Sequence, residues 1–405
     1  MPRYRLLVLT SHPIQYQAPL FRALAARPEI DLEVCFYSRW GVEQHVDPQF
    51  GVPVAWDIPL LDGYRYRFIN NLGLDDGPKR FLSLINPEVL ALALSNQFDA
   101  VWMQGWALAS NWLAWISSVL SQKPLLLRGE SNGLEESPGW KRLAKRTILR
   151  AFFSKVNAFL AIGRLNNEFY SSYGVPSERI FHAPYAVDNT SFIEQADALA
   201  ANKHSLRRDY GIDPELPVVL FTGKLISKKR PLDLIRAFEA AQARTPCSLA
   251  MVGDGALRRD LENYVALRRI PRVHFLGFRN QSEIGKLYAL ADLFVLPSSS
   301  EPWGLSVNEA MCFSLPVIAS DQVGSSFDLV RPRANGYVYP SGDVAALSLY
   351  IQRTLYSEEH RQRMGAASRE IIERWNIDRT VDGIVQAVAS TVAVKEERVQ
   401  ATPVL

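Results

Sequence analysis

A chain of 405 residues, 48% hydrophobic and 21% charged, has a globular composition and is too long for a single core; two domains of ordinary size fit it. Its formal net charge of +3 excludes the strongly basic balance of a nucleic-acid-binding protein. Cys35, Cys247 and Cys312 are far apart and lie in apolar surroundings, which excludes a disulfide framework or a metal-ligand spacing and predicts reduced core thiols. The chain enters an apolar run almost at once, so no signal peptide is read at its start.

Residues 5–10 are the expected first strand of a doubly wound sheet, followed by Ser11-His12-Pro13-Ile14-Gln15-Tyr16 and a helix over about 17–26. A dinucleotide-binding fold would carry a glycine-rich loop at this turn; none exists, which argues against a nicotinamide or flavin. Residues 32–37 read as the second strand, and 38–79 as irregular, with interspersed aromatics and prolines. Residues 100–122 carry no charge and are long enough to span a bilayer. Gln104, Asn111, several serines and a central glycine favour instead a buried strand over 100–103 and a buried helix from about 108 to 121. The next strand, 125–127, ends in Arg128-Gly129-Glu130-Ser131. Ligands bind outside the carboxyl ends of such strands, so Arg128 and Glu130 are better site candidates than equal charges on a helix face.

Residues 140–155 hold Lys141, Arg142, Lys145, Arg146, Arg150 and Lys155 and no acidic residue, with Trp140, Leu143, Ile148, Ala151 and Phe152 at helical spacing. This basic amphipathic helix suits an anionic membrane surface or a phosphorylated acceptor; a solvated helix covering the sheet has the same pattern. Strands over 158–162 and 180–184 complete the first half, and 191–216, mixed polar and helical, reads as a linker.

The second half opens with a strand over 217–222 that ends in Gly223-Lys224-Leu225-Ile226-Ser227-Lys228-Lys229-Arg230-Pro231. A glycine followed by cations after a strand can cradle phosphate, though surface lysines near a helix start give the same pattern. The P-loop spacing of nucleotide hydrolases is missing. Residues 249–252 lead into Gly253-Asp254-Gly255, and 273–276 into Gly277-Phe278. Residues 289–296 read as a buried strand of a parallel sheet, followed by a turn, a helix over 305–313 and a strand over 316–319. Glu301 precedes that helix and Glu309 lies inside it. The amides of Trp303, Gly304 and Leu305 are expected to point outward, where the helix dipole favours a negative group, and Gly304 to admit a ligand close to backbone. Such a site suits a phosphorylated, hydroxyl-rich ligand; an ordinary strand-turn-helix with surface glutamates has the same spacing. A helix over about 379–394 closes the chain, and no Asp-x-Asp motif is present to hold a cation.

Glu301 and Glu309, with Pro302, Gly304 and Glu309-Ala310-Met311, resemble the E-x7-E signature of retaining glycosyltransferase family 4. That family's small-x-Gly-x-Pro-Val-Ile-Ala run appears as Cys312-Phe313-Ser314-Leu315-Pro316-Val317-Ile318-Ala319, with Ser314 in place of the usual glycine. Lys224 and Lys229 fall on its Gly-Arg/Lys and following Lys positions, Gly253-Asp254-Gly255 on its Gly-x-Gly turn, and Gly277-Phe278 on the segment whose backbone recognises the nucleobase. Tyr185-Ala186-Val187-Asp188 resembles its Asn-Gly-Val-Asp turn, and the His12 loop a subset with an N-terminal His-Pro-x-Gln-Tyr loop.

The resemblance implies an α/β fold of the GT-B class, two doubly wound Rossmann-like domains facing across a cleft, with a C-terminal helix crossing back to the first. The implied domains are 1–190 on the acceptor side, a linker over 191–216, a nucleotide-sugar domain over 217–375, and the returning helix and tail over 376–405. It puts Lys224 and Lys229 on the donor diphosphate, Glu309 on the ribose hydroxyls and Glu301 on the donor sugar, with Gly223, Gly253, Asp254, Gly255, Phe278, Trp303, Gly304 and Leu305 around them. His12, Gln15, Arg128 and Glu130 fall on the acceptor side. Glu130 stands at or near the place where many members carry a histidine, and His12 either contacts a sugar or phosphate or caps local backbone.

The implied activity is retaining, metal-independent transfer of a sugar from a UDP- or GDP-sugar to a glycan or lipid-linked acceptor in cell-surface polysaccharide biosynthesis. The nucleotide-diphosphate sugar is the donor substrate, and no cofactor is implied. The expected location is cytoplasmic, peripheral on the inner face of the plasma membrane through 140–155, with no nucleic-acid partner. A nucleotide-sugar epimerase or phosphorylase, or a non-catalytic sugar-nucleotide-binding assembly protein, would share the donor pocket.

Overall fold

In the computed structural model, which describes residues 3–42, 45–46, 53–54, 56–134 and 139–400, two parallel sheets carry the elements that matter for function. The first contains β1 (Tyr4–Thr10), β2 (Ile30–Phe36), β5 (Arg65–Phe68), β6 (Ala100–Gln104), β7 (Leu125–Arg128), β8 (Ala158–Ala161) and β9 (Ile180–His182) in the order β5-β2-β1-β6-β7-β8-β9. Two short strands, β3 (His45–Val46) and β4 (Pro53–Val54), pair with each other separately. The inner strands are apolar along their length because helices cover both faces; Leu6, Leu7, Val8 and Leu9 of β1 are all fully buried. Edge strand β5 has the opposite character. Its Arg65 and Arg67 pair with Asp31 and Glu33 on β2. That charged edge is why residues 38–79 look irregular in sequence: the strand buries little and is held by ion pairs.

The second sheet contains β10 (Val218–Thr222), β11 (Ser248–Val252), β12 (Val273–Gly277), β13 (Leu293–Leu296), β14 (Val317–Ser320) and β15 (Gly336–Tyr339), ordered β12-β11-β10-β13-β14-β15. The apolar run 289–296 is divided and is not one strand. Gln281–Ala289 is helical and β13 starts at Leu293. Leu290 and Ala291 between them are also buried, which hides the boundary in the sequence. In both sheets the strand order reverses beside the first strand of the sheet, between β1 and β6 and between β10 and β13. The carboxyl ends flanking such a reversal are where doubly wound sheets bind ligands.

The chain divides into two compact units, one of Met1–Gln44, Pro59–Tyr185 and Ile377–Leu405 and another of His45–Ile58 and Ala186–Asn376. The helix Ile377–Gln400 packs Val381, Ile384, Ala387 and Val388 into the first unit's core with Leu6, Val8 and Leu160. The stretch 191–216 is mostly helical and belongs to the second unit, where buried Arg207 pairs with Asp292. Among the described residues no helix is long and apolar enough to cross a membrane. In Ala109–Ser121, the helix of the uncharged stretch, Ser110, Asn111, Ser117 and Ser118 are buried. Cys35, Cys247 and Cys312 are buried free thiols.

Candidate functional site

The loops after β10, β11 and β12 are joined backbone to backbone. Gly223 N donates to Val252 O at 2.9 Å, Leu225 N to Asp254 O at 2.9 Å, and Gly253 N to Gly277 O at 2.8 Å. A Cβ at Gly253, where φ is +131°, would lie 1.9 Å from Gly223 O. Glycine is therefore needed there for loop-to-loop contact as well as for its backbone angle. Asp254 is engaged within its own loop, accepting from Arg258 at 2.6 Å and from Gly255 N at 2.9 Å. Its place in the structure is that of a loop-fixing carboxylate.

The loop after β10 also reaches the loop after β13: Ser299 N donates to Lys228 O at 2.7 Å. Beside that contact the Lys229 ammonium donates to the Glu301 carboxylate, both side chains being mostly buried. Two residues far apart in sequence thus meet where the strand order reverses. Lys224 is half-buried in the same loop, and Phe278, after β12, has its ring 6.5 Å from that of Trp56.

Gly304 starts the helix Leu305–Cys312 with φ +93°, and a Cβ there would meet Leu296 Cδ2 at 2.9 Å and Glu301 Cγ at 3.2 Å. The left-handed turn and the crowding of its neighbours supply a reason for this glycine that is internal to the fold, in addition to the ligand approach expected from sequence. Trp303 is turned inward: it stacks on Trp375 with centroids 5.4 Å apart and donates its Nε1 to Asn308 at 3.0 Å. Leu305 is buried.

Glu309 is 5% exposed and accepts a 2.6 Å hydrogen bond from Tyr288 Oη, which also lies 2.8 Å from Thr222 Oγ1. Burial pushes the Glu309 carboxyl up to about 7, against the Tyr288 hydrogen bond, which favours the charged form. The Glu309–Tyr288–Thr222 connection escapes sequence reasoning. Its signals are faint: a hydroxyl ending an apolar strand, and a tyrosine in an otherwise apolar helix turn.

On the first sheet, His12 follows β1 with its Nδ1 2.9 Å from Ser11 Oγ, and Gln15 is buried. Arg128 ends β7 with 5% exposure, its guanidinium 4.8 Å from the centre of the Tyr185 ring. Tyr185 Oη donates to exposed Glu130 at 2.7 Å, so the two charged candidates are joined through one tyrosine. Neighbouring Gly129 donates its N–H to Tyr170 Oη at 2.9 Å.

The helix Gly139–Ser154 buries Leu149, Phe152 and Phe153. Leu143, Ile148 and Ala151, which helical spacing assigns to the covered face together with Phe152, are exposed beside Lys145, Arg146 and Arg150. The side chains of Trp140, Lys141 and Arg142 lie outside the described residues. Among the described residues no group of three or more His, Cys, Asp or Glu side chains is clustered as a metal site would require.

Residues 202–371, most of the second unit, match the family described as Glycosyl transferases group 1. The chain is 30% identical over 203 residues to the alpha-D-kanosaminyltransferase of Streptomyces kanamyceticus. It is 28% identical over 250 residues to a GDP-mannose-dependent phosphatidylinositol monomannoside mannosyltransferase of Mycolicibacterium smegmatis. These matches cover 50% and 59% of this chain; the chain spans 51% and 63% of the relatives' own lengths, less than two thirds of either. Anabaena HepE, solved in complex with UDP and glucose, superposes with a TM-score of 0.70 at 18% identity, covering 96% of this chain and 100% of that one. The fold class is therefore GT-B, built from two Rossmann-like domains of seven and six parallel strands.

Proposed function

We propose that this protein is a retaining, metal-independent glycosyltransferase of the family 4 type. It moves a sugar from a UDP- or GDP-sugar to a glycan or glycolipid acceptor in polysaccharide assembly. The observation that carries the reading is the Lys229–Glu301 pair at the strand-order reversal of the second sheet, followed by the helix that carries buried Glu309, inside the stretch that matches the family. Breaking the anomeric C–O bond builds negative charge on the leaving diphosphate. Lys229 has three N–H donors and uses one on Glu301, which leaves donors for phosphate oxygens, and Lys224 adds a second cation. Glu301 would then accept from the donor sugar's hydroxyls and Glu309 from the ribose. Gly223, Gly253, Gly255 and the backbone at Phe278, Gly304 and Leu305 form the donor-side wall. His12, Gln15, Arg128 and Glu130 form the acceptor side. Relatives named for GDP-mannose and for lipid-linked acceptors, and a structural neighbour holding UDP and glucose, support this class of substrates.

A panel of nucleoside diphosphates and sugar nucleotides, scored by thermal shift, tests the reading. At roughly a hundredfold excess over Kd the right nucleotide stabilises by about 2.7 kcal/mol; silence toward every member sinks it. Donor turnover without any acceptor favours the epimerase or phosphorylase alternative. The exposed Leu143 and Ile148 among Lys145, Arg146 and Arg150 favour a peripheral membrane location for this enzyme. Co-sedimentation with anionic but not neutral vesicles is the corresponding check.

A further inference from the structure

Arg128 is a buried cation, and among the described residues no carboxylate forms an ion pair with it. Among the described residues its five guanidinium N–H groups make no hydrogen bond and no ion pair; the charge rests against the face of Tyr185. The group that would ordinarily compensate it, Glu130, lies outward and spends one oxygen on Tyr185 Oη. The register partner of Arg128 on β6 is Gln104, which shares its face of the sheet. That side chain turns its oxygen to Gln17 Nε2 at 2.6 Å and leaves its own Nε2 buried without an acceptor. Two adjacent strand ends therefore present donors in excess of acceptors. Burying a guanidinium without a hydrogen-bonded anion costs several kcal/mol, and a fold tolerates that where a ligand completes the pair. Burial accordingly holds the Arg128 guanidinium below its ordinary value despite Glu130 and Tyr185 nearby.

We propose that Arg128 is an anion subsite, and that the acceptor this enzyme uses carries an acidic group, a carboxylate or a phosphate ester, which Arg128 binds with its fork of donors. Arginine suits both groups because its planar N–H pair matches two oxygens at once. The inference rests on the glycosyltransferase reading and deepens it from any glycan or lipid-linked acceptor to an acidic one. The donor's diphosphate offers the same chemistry; it is the less suitable source because Lys224 and Lys229 already stand on the donor-side loops of the second unit.

The test uses ligand-observed NMR on the full chain with glucose, glucuronate and glucose 6-phosphate as probes, and UDP and GDP as the donor arm. In wild type at least one charged sugar binds about tenfold or more tighter than glucose; Arg128→Met removes that advantage and leaves nucleotide binding within about twofold. Glu130→Gln, an exposed substitution that spares the core, strengthens binding of the charged sugar by roughly threefold by removing the neighbouring negative charge. Three results overturn the proposal: equal binding of charged and neutral sugars by wild type, an unchanged preference in Arg128→Met, or loss of nucleotide binding in Arg128→Met, which moves the anion to the donor. Absence of nucleotide binding in wild type is a different failure. It removes the glycosyltransferase reading while the sugar arm still reports on Arg128.

Discussion

The two sheets end in loops that treat charge in opposite ways. At the carboxyl edge of the second sheet Lys229 is paired with Glu301, Asp254 with Arg258, and buried Glu309 takes a hydrogen bond from Tyr288. At the same edge of the first sheet Arg128 has an aromatic ring beneath it and no acceptor among the described residues. Internal pairing keeps the groups of the second site in place before any ligand arrives, which is the arrangement electrostatic stabilisation of a leaving group requires. A cation left without a partner marks the place where the ligand itself is asked to bring the charge.

Breaking the pairing on the second sheet has the largest expected effect. Lys229→Ala lowers the initial rate of sugar transfer by about two to three orders of magnitude, by analogy with loss of one transition-state donor. A rate within a few-fold of wild type would show that the pair is structural and erase the contrast between the edges. The pH dependence of stability comes next. The Glu309 carboxyl sits higher folded, at about 7, than its ordinary 4.5, so the folded state holds the extra proton in that window. Stability therefore falls as pH rises from 4.5 to about 7, by roughly 3 kcal/mol, and Glu309→Gln flattens that slope in urea titrations across the range.

Tyr288→Phe removes the one hydrogen bond shown for that carboxylate and is expected to lower unfolding free energy by about 1–3 kcal/mol at pH 8, less at pH 5 where Glu309 is protonated. An equal loss at both values would mean that the hydroxyl acts through Thr222 and not through the carboxylate. The smallest effect is at Ser314, which holds φ at +54° where glycine is strain-free. Ser314→Gly should add about 0.5–1 kcal/mol to stability and leave transfer kinetics unchanged.

Much of this is legible in the residues because it is local. Apolar runs ending in Gly223-Lys224, Gly253-Asp254-Gly255 and Ser298-Ser299-Ser300-Glu301 announce strands with loops at one edge, and the structure places all three loops there. Ser314 in place of glycine points to a turn, and the turn is left-handed. What escapes depends on contacts between distant residues. The strand Arg65–Phe68 alternates arginines that pair with β2 and aromatics of which Phe68 packs on Phe36, and so carries no continuous apolar run. Tyr288 and Thr222 meet Glu309 only when helix and strand pack. Gly304 reads in sequence as room for a ligand, whereas Leu296 and Glu301 already crowd it. The isolation of Arg128 is likewise invisible in sequence, since it consists of what its neighbours fail to offer.

The proposed donor site is tested most directly by calorimetric titration of UDP, GDP, uridine and guanosine into wild type and Lys229→Ala. Wild type should bind one diphosphate about tenfold or more tighter than its nucleoside, and Lys229→Ala should lose most of that advantage while still binding the nucleoside. Equal binding of diphosphate and nucleoside by wild type, or a diphosphate preference untouched in Lys229→Ala, would contradict it.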